Sequence, residues 1–183
     1  MKATIRWVRA HADEYGLDGK AVGAWGASAG GHLVALLATT NGVDDLEGNT
    51  GGEALRGYSS DVQAVVDFFD PIHLPRLRGA TIAEWMVEDL LGGPIAERLA
   101  LAELASPELH VSPATVPLLI AHGDEDPTVP LEQSTGFQAR LQQSGADSTL
   151  HVIAGAGHGG DAFHTRELRE KIVAFFARHL KSS

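Results

Sequence analysis

Apolar residues recur along the chain with two different periods, and the alternation between those periods predicts the order of its elements. Ile5, Val8, Ala12 and Tyr15 fall at helical spacing over residues 4–15, and Gly16 follows as a stop. The run Ala21-Val22-Gly23-Ala24-Trp25-Gly26 reads as a short strand covered on both faces. Residues 29–40 (AGGHLVALLATT) read as a helix leaving that strand, and the polar, glycine-rich stretch from Asn41 to Ser60 as a loop. Further strands are predicted at Val62–Phe69, stopped by Asp70-Pro71, at Pro117–Gly123 and at Leu150–Ala154. Helical spacing returns at Ile82–Leu91, Ile95–Leu104, Ser134–Ser144 and Glu167–Leu180, the last with Ile172, Val173, Phe176 and Leu180 facing inward. Strands separated by helices require crossover connections. The expectation is an α/β fold, with a mostly parallel sheet of about four strands flanked by helices. In such a sheet the chemistry belongs at the carboxyl ends of the strands.

Composition narrows the function. A length of 183 residues suits one domain, 1–183. No apolar run reaches the roughly 18 residues of a membrane helix. The N-terminus is charged throughout, unlike a secretory signal, so a cytoplasmic protein without a membrane partner is expected. Cysteine is absent, which excludes disulfides, thiol catalysis and Cys-ligated zinc. With 24 acidic and 14 basic residues the net charge is −10, which argues against a nucleic-acid partner. The acidic stretch Asp44-Asp45-Leu46-Glu47-Gly48-Asn49 lacks EF-hand spacing and reads as a solvated loop. His158-Gly159-Gly160-Asp161 with His164 fits no zinc spacing, and Gly23, Gly26 and Gly30 do not form a dinucleotide fingerprint. Neither metal nor cofactor is expected.

Immediately after the first strand stands Gly26-Ala27-Ser28-Ala29-Gly30, a G-x-S-x-G pentapeptide. In a chain with 21 glycines and 10 serines, chance alone gives about 0.13 such motifs. Strand before and helix after are the context in which such a serine projects above the sheet on a strained turn. A serine hydroxyl needs a histidine to take its proton and a carboxylate to orient that histidine, and in this architecture the order is Ser, acid, His. The segment His122-Gly123-Asp124-Glu125-Asp126-Pro127 follows the third strand, and Gly157-His158-Gly159-Gly160 follows the fourth. Ser28, the acid and His158 therefore fall on successive strand ends. Both Asp126 and Asp124 qualify as the acid, with Asp126 preferred because Asp124, nearer the strand end, is placed to bond the turn itself.

The segments GASAGGHLVALLATT, VQAVVDFFDPIHL, PLLIAHGDEDPTVPLEQS and GAGHGG resemble the α/β-hydrolase fold. Within it they are similar to the acetyl esterase, feruloyl-esterase-like and hormone-sensitive-lipase-like group. That resemblance implies Ser28 as nucleophile, His158 as base and Asp126, the D before x-x-V-P, as acid. It also implies the backbone N–H of Ala29 as one oxyanion donor. A serine esterase acting on small, short-acyl carboxylic esters is the leading expectation. The alternatives are a prolyl-oligopeptidase-like peptidase and a weak or inactive hydrolase remnant serving as a binding or assembly module. Trp85, Met86 and Leu90 read as core residues, and residues 71–110 as a possible cap-like insertion.

The 27 residues before Ser28 contain no His-Gly-Gly loop of the kind that gives this group its second oxyanion donor. The resemblance begins at the group's second helix, so the expectation is a truncated form with one donor fewer, a change that typically costs about 10²–10³ in rate. The apolar first strand would then be an unprotected edge, which predicts a homodimer paired through it.

Overall fold

The computed structural model describes residues 1–48, 51–79 and 81–180. Four strands, β1 (Gly23–Ala27), β2 (Ala64–Phe68), β3 (Leu118–Gly123) and β4 (Ser148–Ile153), form one sheet in the order β1-β2-β3-β4. All three pairings are parallel, with Trp25 opposite Val66, Asp67 opposite Ile120 and Ala121 opposite His151. The helices are α1 (Lys2–Ala10), α2 (Ala12–Tyr15), α3 (Ala29–Thr39), α4 (Thr81–Leu91), α5 (Leu99–Leu104), α6 (Glu132–Ser144) and α7 (Arg166–His179). The architecture is a parallel sheet flanked by helices, the α/β fold that the alternation of periods implied.

Side chains alternate across β2 and β3, so each face carries its own core. On one face Val34 and Leu37 of α3 and Phe137 and Leu141 of α6 bury Val65, Leu118 and Ile120. On the other, Leu168 and Ile172 of α7 bury Val66, Phe68, Leu119 and Ala121. A third cluster joins Leu74, Leu77, Ala83, Val87, Ile95 and Ala102 to Val129 in the loop after β3. These residues thus pack against the loop at the end of β3.

Several expectations are corrected. The helix over 4–15 breaks at His11 (φ −111°, ψ 10°) into α1 and α2, and Tyr15 is exposed. Val173 is exposed because α7 buries only the narrow stripe of Leu168 and Ile172, and Val173 turns about 100° away from it. β1 is covered on both faces only at its start: α3 packs on one, and on the other Phe176 and Leu180 reach Gly23 while α7 lies mainly over β2, leaving Trp25 52% exposed beside Phe68. Short 3₁₀ turns at Asp44–Leu46 and Glu53–Leu55 punctuate the loop after α3. Its Glu47 is not a solvated carboxylate. It accepts from Lys2 Nζ at 2.5 Å, from the Arg6 guanidinium and from Ser60 Oγ at 2.8 Å, tying α1 to the loop. These partners hold the Glu47 carboxyl below its usual range in spite of burial, which alone would raise it. Asn49, at the end of that acidic stretch, lies outside the described residues.

Candidate active site

The turn from β1 into α3 is sharp because its backbones touch. A Cβ on Gly26 would stand 2.2 Å from the carbonyl oxygen of Gly30, so any other residue would force the turn open. Ser28 itself takes φ 52° and ψ −123°, a conformation that costs a non-glycine residue about 1–3 kcal/mol. Its N–H donates to the Phe68 carbonyl at 2.8 Å, which fastens the strained residue to the end of β2. Ala29 opens α3, so its N–H has no acceptor within the helix and is free to meet an anion beside Ser28.

Two later strand ends bring up the other groups. Gly123 ends β3, where a Cβ would stand 2.1 Å from the Ala156 carbonyl oxygen. This close approach lets the Glu125 N–H donate to the Ala156 carbonyl at 3.0 Å, drawing the Asp126 loop against the His158 loop. The Asp126 side chain is fully buried, and its Oδ1 accepts from the N–H groups of Thr128 at 2.7 Å and Val129 at 3.0 Å. Its Oδ2 lies 2.7 Å from His158 Nδ1, and His158 Nε2 lies 2.8 Å from Ser28 Oγ. A carboxylate only accepts, so Nδ1 carries the imidazole proton and Nε2 accepts from the serine hydroxyl. The side chain of His158 is 21% exposed, enough to be reached from solvent. Asp124 points elsewhere: its Oδ1 accepts from the Gly155 N–H at 2.7 Å and closes the turn.

Beside Ser28 opens an almost wholly apolar cavity of about 150 Å³, lined among others by Ala29, His32, Met86, Val87 and Leu90. Met86, Trp85 and Leu90 are therefore not core: they are 44%, 69% and 66% exposed, and the first and last border the cavity. His32 donates through Nδ1 to the Pro71 carbonyl at 2.7 Å, and burial pulls its pKa down, so the cavity's imidazole is uncharged near neutrality. Two residues adjoining the site were not foreseen as part of it. Phe69 sets its ring on His158, with centroids 4.8 Å apart. His122 lies 3.3 Å from Asp126 Oδ2. His122 opens the H-G-x-x-D motif, a signal that could have found it, whereas nothing local marks Phe69 beyond its place at a strand end. Among the described residues no cluster of His, Asp and Glu is grouped as a metal site would be. No described helix is long and apolar enough to cross a membrane.

Known proteins share this arrangement of chain. The sequence model of the BD-FAE family matches residues 1–141. The probable carboxylic ester hydrolase LipM of Mycobacterium tuberculosis is 34% identical over 148 residues, 78% of this chain and 33% of LipM. A solved truncated form of a carbohydrate esterase from gut microbiota superposes with a TM-score of 0.89 at 31% identity, covering 99% of this chain and 67% of that one. The thermophilic esterase Est2 of Thermogutta terrifontis, solved with propionate bound, superposes at 0.75 with 30% identity, covering 100% of this chain and 65% of that one. The chain spans about a third of LipM and 40% of the esterase LipC from the same bacterium. With three quarters of its length matched by the family's own sequence pattern, the chain belongs to the BD-FAE family of α/β-hydrolases.

Proposed function

We propose that this chain carries the nucleophile, base and acid of a serine esterase that hydrolyses short-acyl carboxylic esters. The observation that carries the reading is the bonded series Ser28 Oγ, His158 Nε2, His158 Nδ1, Asp126 Oδ2, with spacings of 2.8 and 2.7 Å. Ser28 Oγ attacks the ester carbonyl carbon as its proton passes to His158 Nε2. The resulting oxyanion is met by the Ala29 N–H. When the tetrahedral intermediate collapses, the carbon–oxygen bond to the alcohol breaks and His158 returns the proton to that alcohol. Water then gives a proton to His158 and attacks the acyl-enzyme, and Ser28 leaves with its proton restored. Asp126, buried and twice bonded by backbone, holds the imidazole in the tautomer this sequence needs and stabilises the imidazolium between steps.

The acyl preference follows from the cavity. An apolar space of about 150 Å³ against Ser28 suits a short alkyl group and offers little to a peptide's polar backbone. The relatives and neighbours named as esterases favour the ester reading over the peptidase one. A burst of p-nitrophenol from p-nitrophenyl acetate, absent in Ser28→Ala, is the expected result. Equal release by wild type and Ser28→Ala would overturn the assignment and leave the chain a non-catalytic module.

A further inference from the structure

His122 stands behind the acid with every polar atom committed. It is fully buried at the end of β3. Its Nε2 lies 2.9 Å from the Val129 carbonyl oxygen and 3.3 Å from Asp126 Oδ2, and its Nδ1 lies 2.7 Å from Ser134 Oγ in α6. A carbonyl oxygen can only accept, so Nε2 carries the proton. Nδ1 is then an acceptor, and the Ser134 hydroxyl donates to it. One tautomer satisfies all the partners.

The charge state is set as firmly. Burial, the largest influence, and the neighbouring His158 lower the pKa of His122, outweighing Asp126 and the Val129 carbonyl, which raise it. A neutral donor suits the place. A cation at this distance would cancel the negative charge that Asp126 presents to His158, while an apolar residue would leave the inner side of Oδ2 without a donor in a fully buried setting.

We propose that His122, anchored by Ser134, is a positioning residue for Asp126: its Nε2–H spans Val129 O and Asp126 Oδ2, and so fixes the carboxylate toward His158. Asp126 is held from two sides: the backbone of Thr128 and Val129 takes Oδ1, and the two imidazoles meet at Oδ2. The sequence spacing follows from this. A spacing of four positions from His122 to Asp126 lets the strand end reach over its own loop, and α6 supplies Ser134 from the far side. The inference rests on Asp126 orienting His158, but it can be tested apart from turnover.

Three variants and two readouts decide it. His122→Leu removes the donor, His122→Gln restores an N–H near the Nε2 position, and Ser134→Ala frees the tautomer. Steady-state hydrolysis of p-nitrophenyl acetate should show kcat lower by about tenfold to a hundredfold in His122→Leu, the range carried by outer partners of oriented groups. KM should change little, Ser134→Ala should lie between, and His122→Gln should recover much of the loss. The low-field proton resonance of the His158 Nδ1–H bond to Asp126, recorded in a Ser28→Ala background, should shift or broaden in His122→Leu and Ser134→Ala. That readout needs no activity, so an inactive wild type would overturn the esterase reading while the resonance still decides this one. If His122→Leu does not fold, Ser134→Ala decides on the same readouts. An unmoved resonance, or kcat within about a factor of two of wild type, in folded His122→Leu or, failing that, in Ser134→Ala overturns the proposal.

Discussion

The phenyl ring of Phe69 meets the His158 imidazole edge-on, with centroids 4.8 Å apart and planes at 65°, from a backbone held at φ 40°. A bulky residue at positive φ is an outlier, and the surrounding contacts show why it persists. Its N–H donates to the Ala121 carbonyl at 2.9 Å, and its ring also packs on Phe163 at 4.6 Å. One residue earlier, the Phe68 carbonyl holds the Ser28 N–H at 2.8 Å. The corner after β2 therefore braces Ser28 through its backbone and His158 through a ring.

That strain makes an unusual stability order. Phe69→Ala deletes a buried ring, which typically costs about 3–5 kcal/mol, and keeps the strained φ. Phe69→Gly deletes slightly more but relaxes the backbone, because glycine takes φ 40° freely. Urea unfolding should find Phe69→Gly more stable than Phe69→Ala by about 1 kcal/mol, the reverse of their order in an ordinary strand. Both should lose kcat, because neither keeps the ring against His158. Equal or inverted stabilities would show that the backbone carries no strain.

The same corner holds two acids. Asp67 and Asp70 are fully buried, and among the described residues their carboxyls meet only each other and the backbone of Asp70 itself. Burial pushes the Asp67 carboxyl up to about 7, and burial together with the charge of Asp67 pushes Asp70 well above the carboxylate range. Unfolded, both would titrate near 3.8, so between that value and about 7 the folded chain binds more protons than the unfolded one. The pair's contribution to stability is therefore full below about 4 and is lost as pH rises toward and beyond 7. His32 and His122, whose pKa values burial lowers, act oppositely and cost stability as pH falls below 6.5. Thermal unfolding across pH 5–9 should show Tm falling on the alkaline side, with Asp67→Asn flattening that fall. An alkaline slope identical in wild type and Asp67→Asn would mean the pair is already ionised.

How much of this was legible follows from how local each signal is. The elbow at Ser28 and the loops of Asp126 and His158 could be read because glycine, serine, aspartate and histidine sit at fixed offsets from strand ends, and the parallel pairing needs only the alternation of periods, which leaves the order of strands within the sheet open. Trp85, Met86 and Leu90 were misread as core, because an apolar helix face looks the same whether it meets a core or rims a cavity. Glu47 was misread because Lys2 and Arg6, its partners, lie some 40 residues away in the chain. Phe69 was invisible for a different reason: a positive φ in a phenylalanine is imposed by tertiary contacts, not by its own preference.

Two aspartates two residues apart have different partners, His158 for Asp126 and the Gly155 N–H for Asp124, and isosteric amides should separate them. Asp126→Asn leaves the shape intact but can donate to Nδ1 and so favour the wrong imidazole tautomer; kcat should fall by as much as about 10⁴. Asp124→Asn keeps an oxygen that can accept from the Gly155 N–H and should retain most activity. Steady-state kinetics on p-nitrophenyl acetate gives the ranking, and the opposite one would move the acid to Asp124.

Met86 and Leu90 stand on successive turns of α4 at the rim of the cavity. Truncating them enlarges the space without touching Ser28 or His158. Met86→Ala and Leu90→Ala should therefore shift the preferred p-nitrophenyl ester from acetate or propionate toward hexanoate, by about 1–3 kcal/mol in relative kcat/KM per pocket change. The ratio between esters is the measurement, because it is insensitive to how much protein is active. An unchanged ratio would place the acyl group elsewhere.

The outer edge of β1 bears on association. The Gln63 N–H donates to Val22 O at 2.8 Å and the Ser28 N–H donates to Phe68 O at 2.8 Å, so the backbone groups of Val22 and Ser28 face β2. With a period of two, those of Gly23, Trp25 and Ala27 face outward. Among the described residues no strand pairs with that edge, and it carries no charge, proline or bulge to discourage pairing. Two such edges related by a twofold axis would satisfy each other's N–H and C=O groups and bury Trp25. Light scattering of the 183-residue chain at micromolar concentration should give about twice the mass of one chain. Trp25→Lys, which places charge on the edge, should return it to a single-chain mass without unfolding the sheet. A wild-type chain that scatters as a single copy would show that the edge is shielded in another way, and the homodimer would be withdrawn.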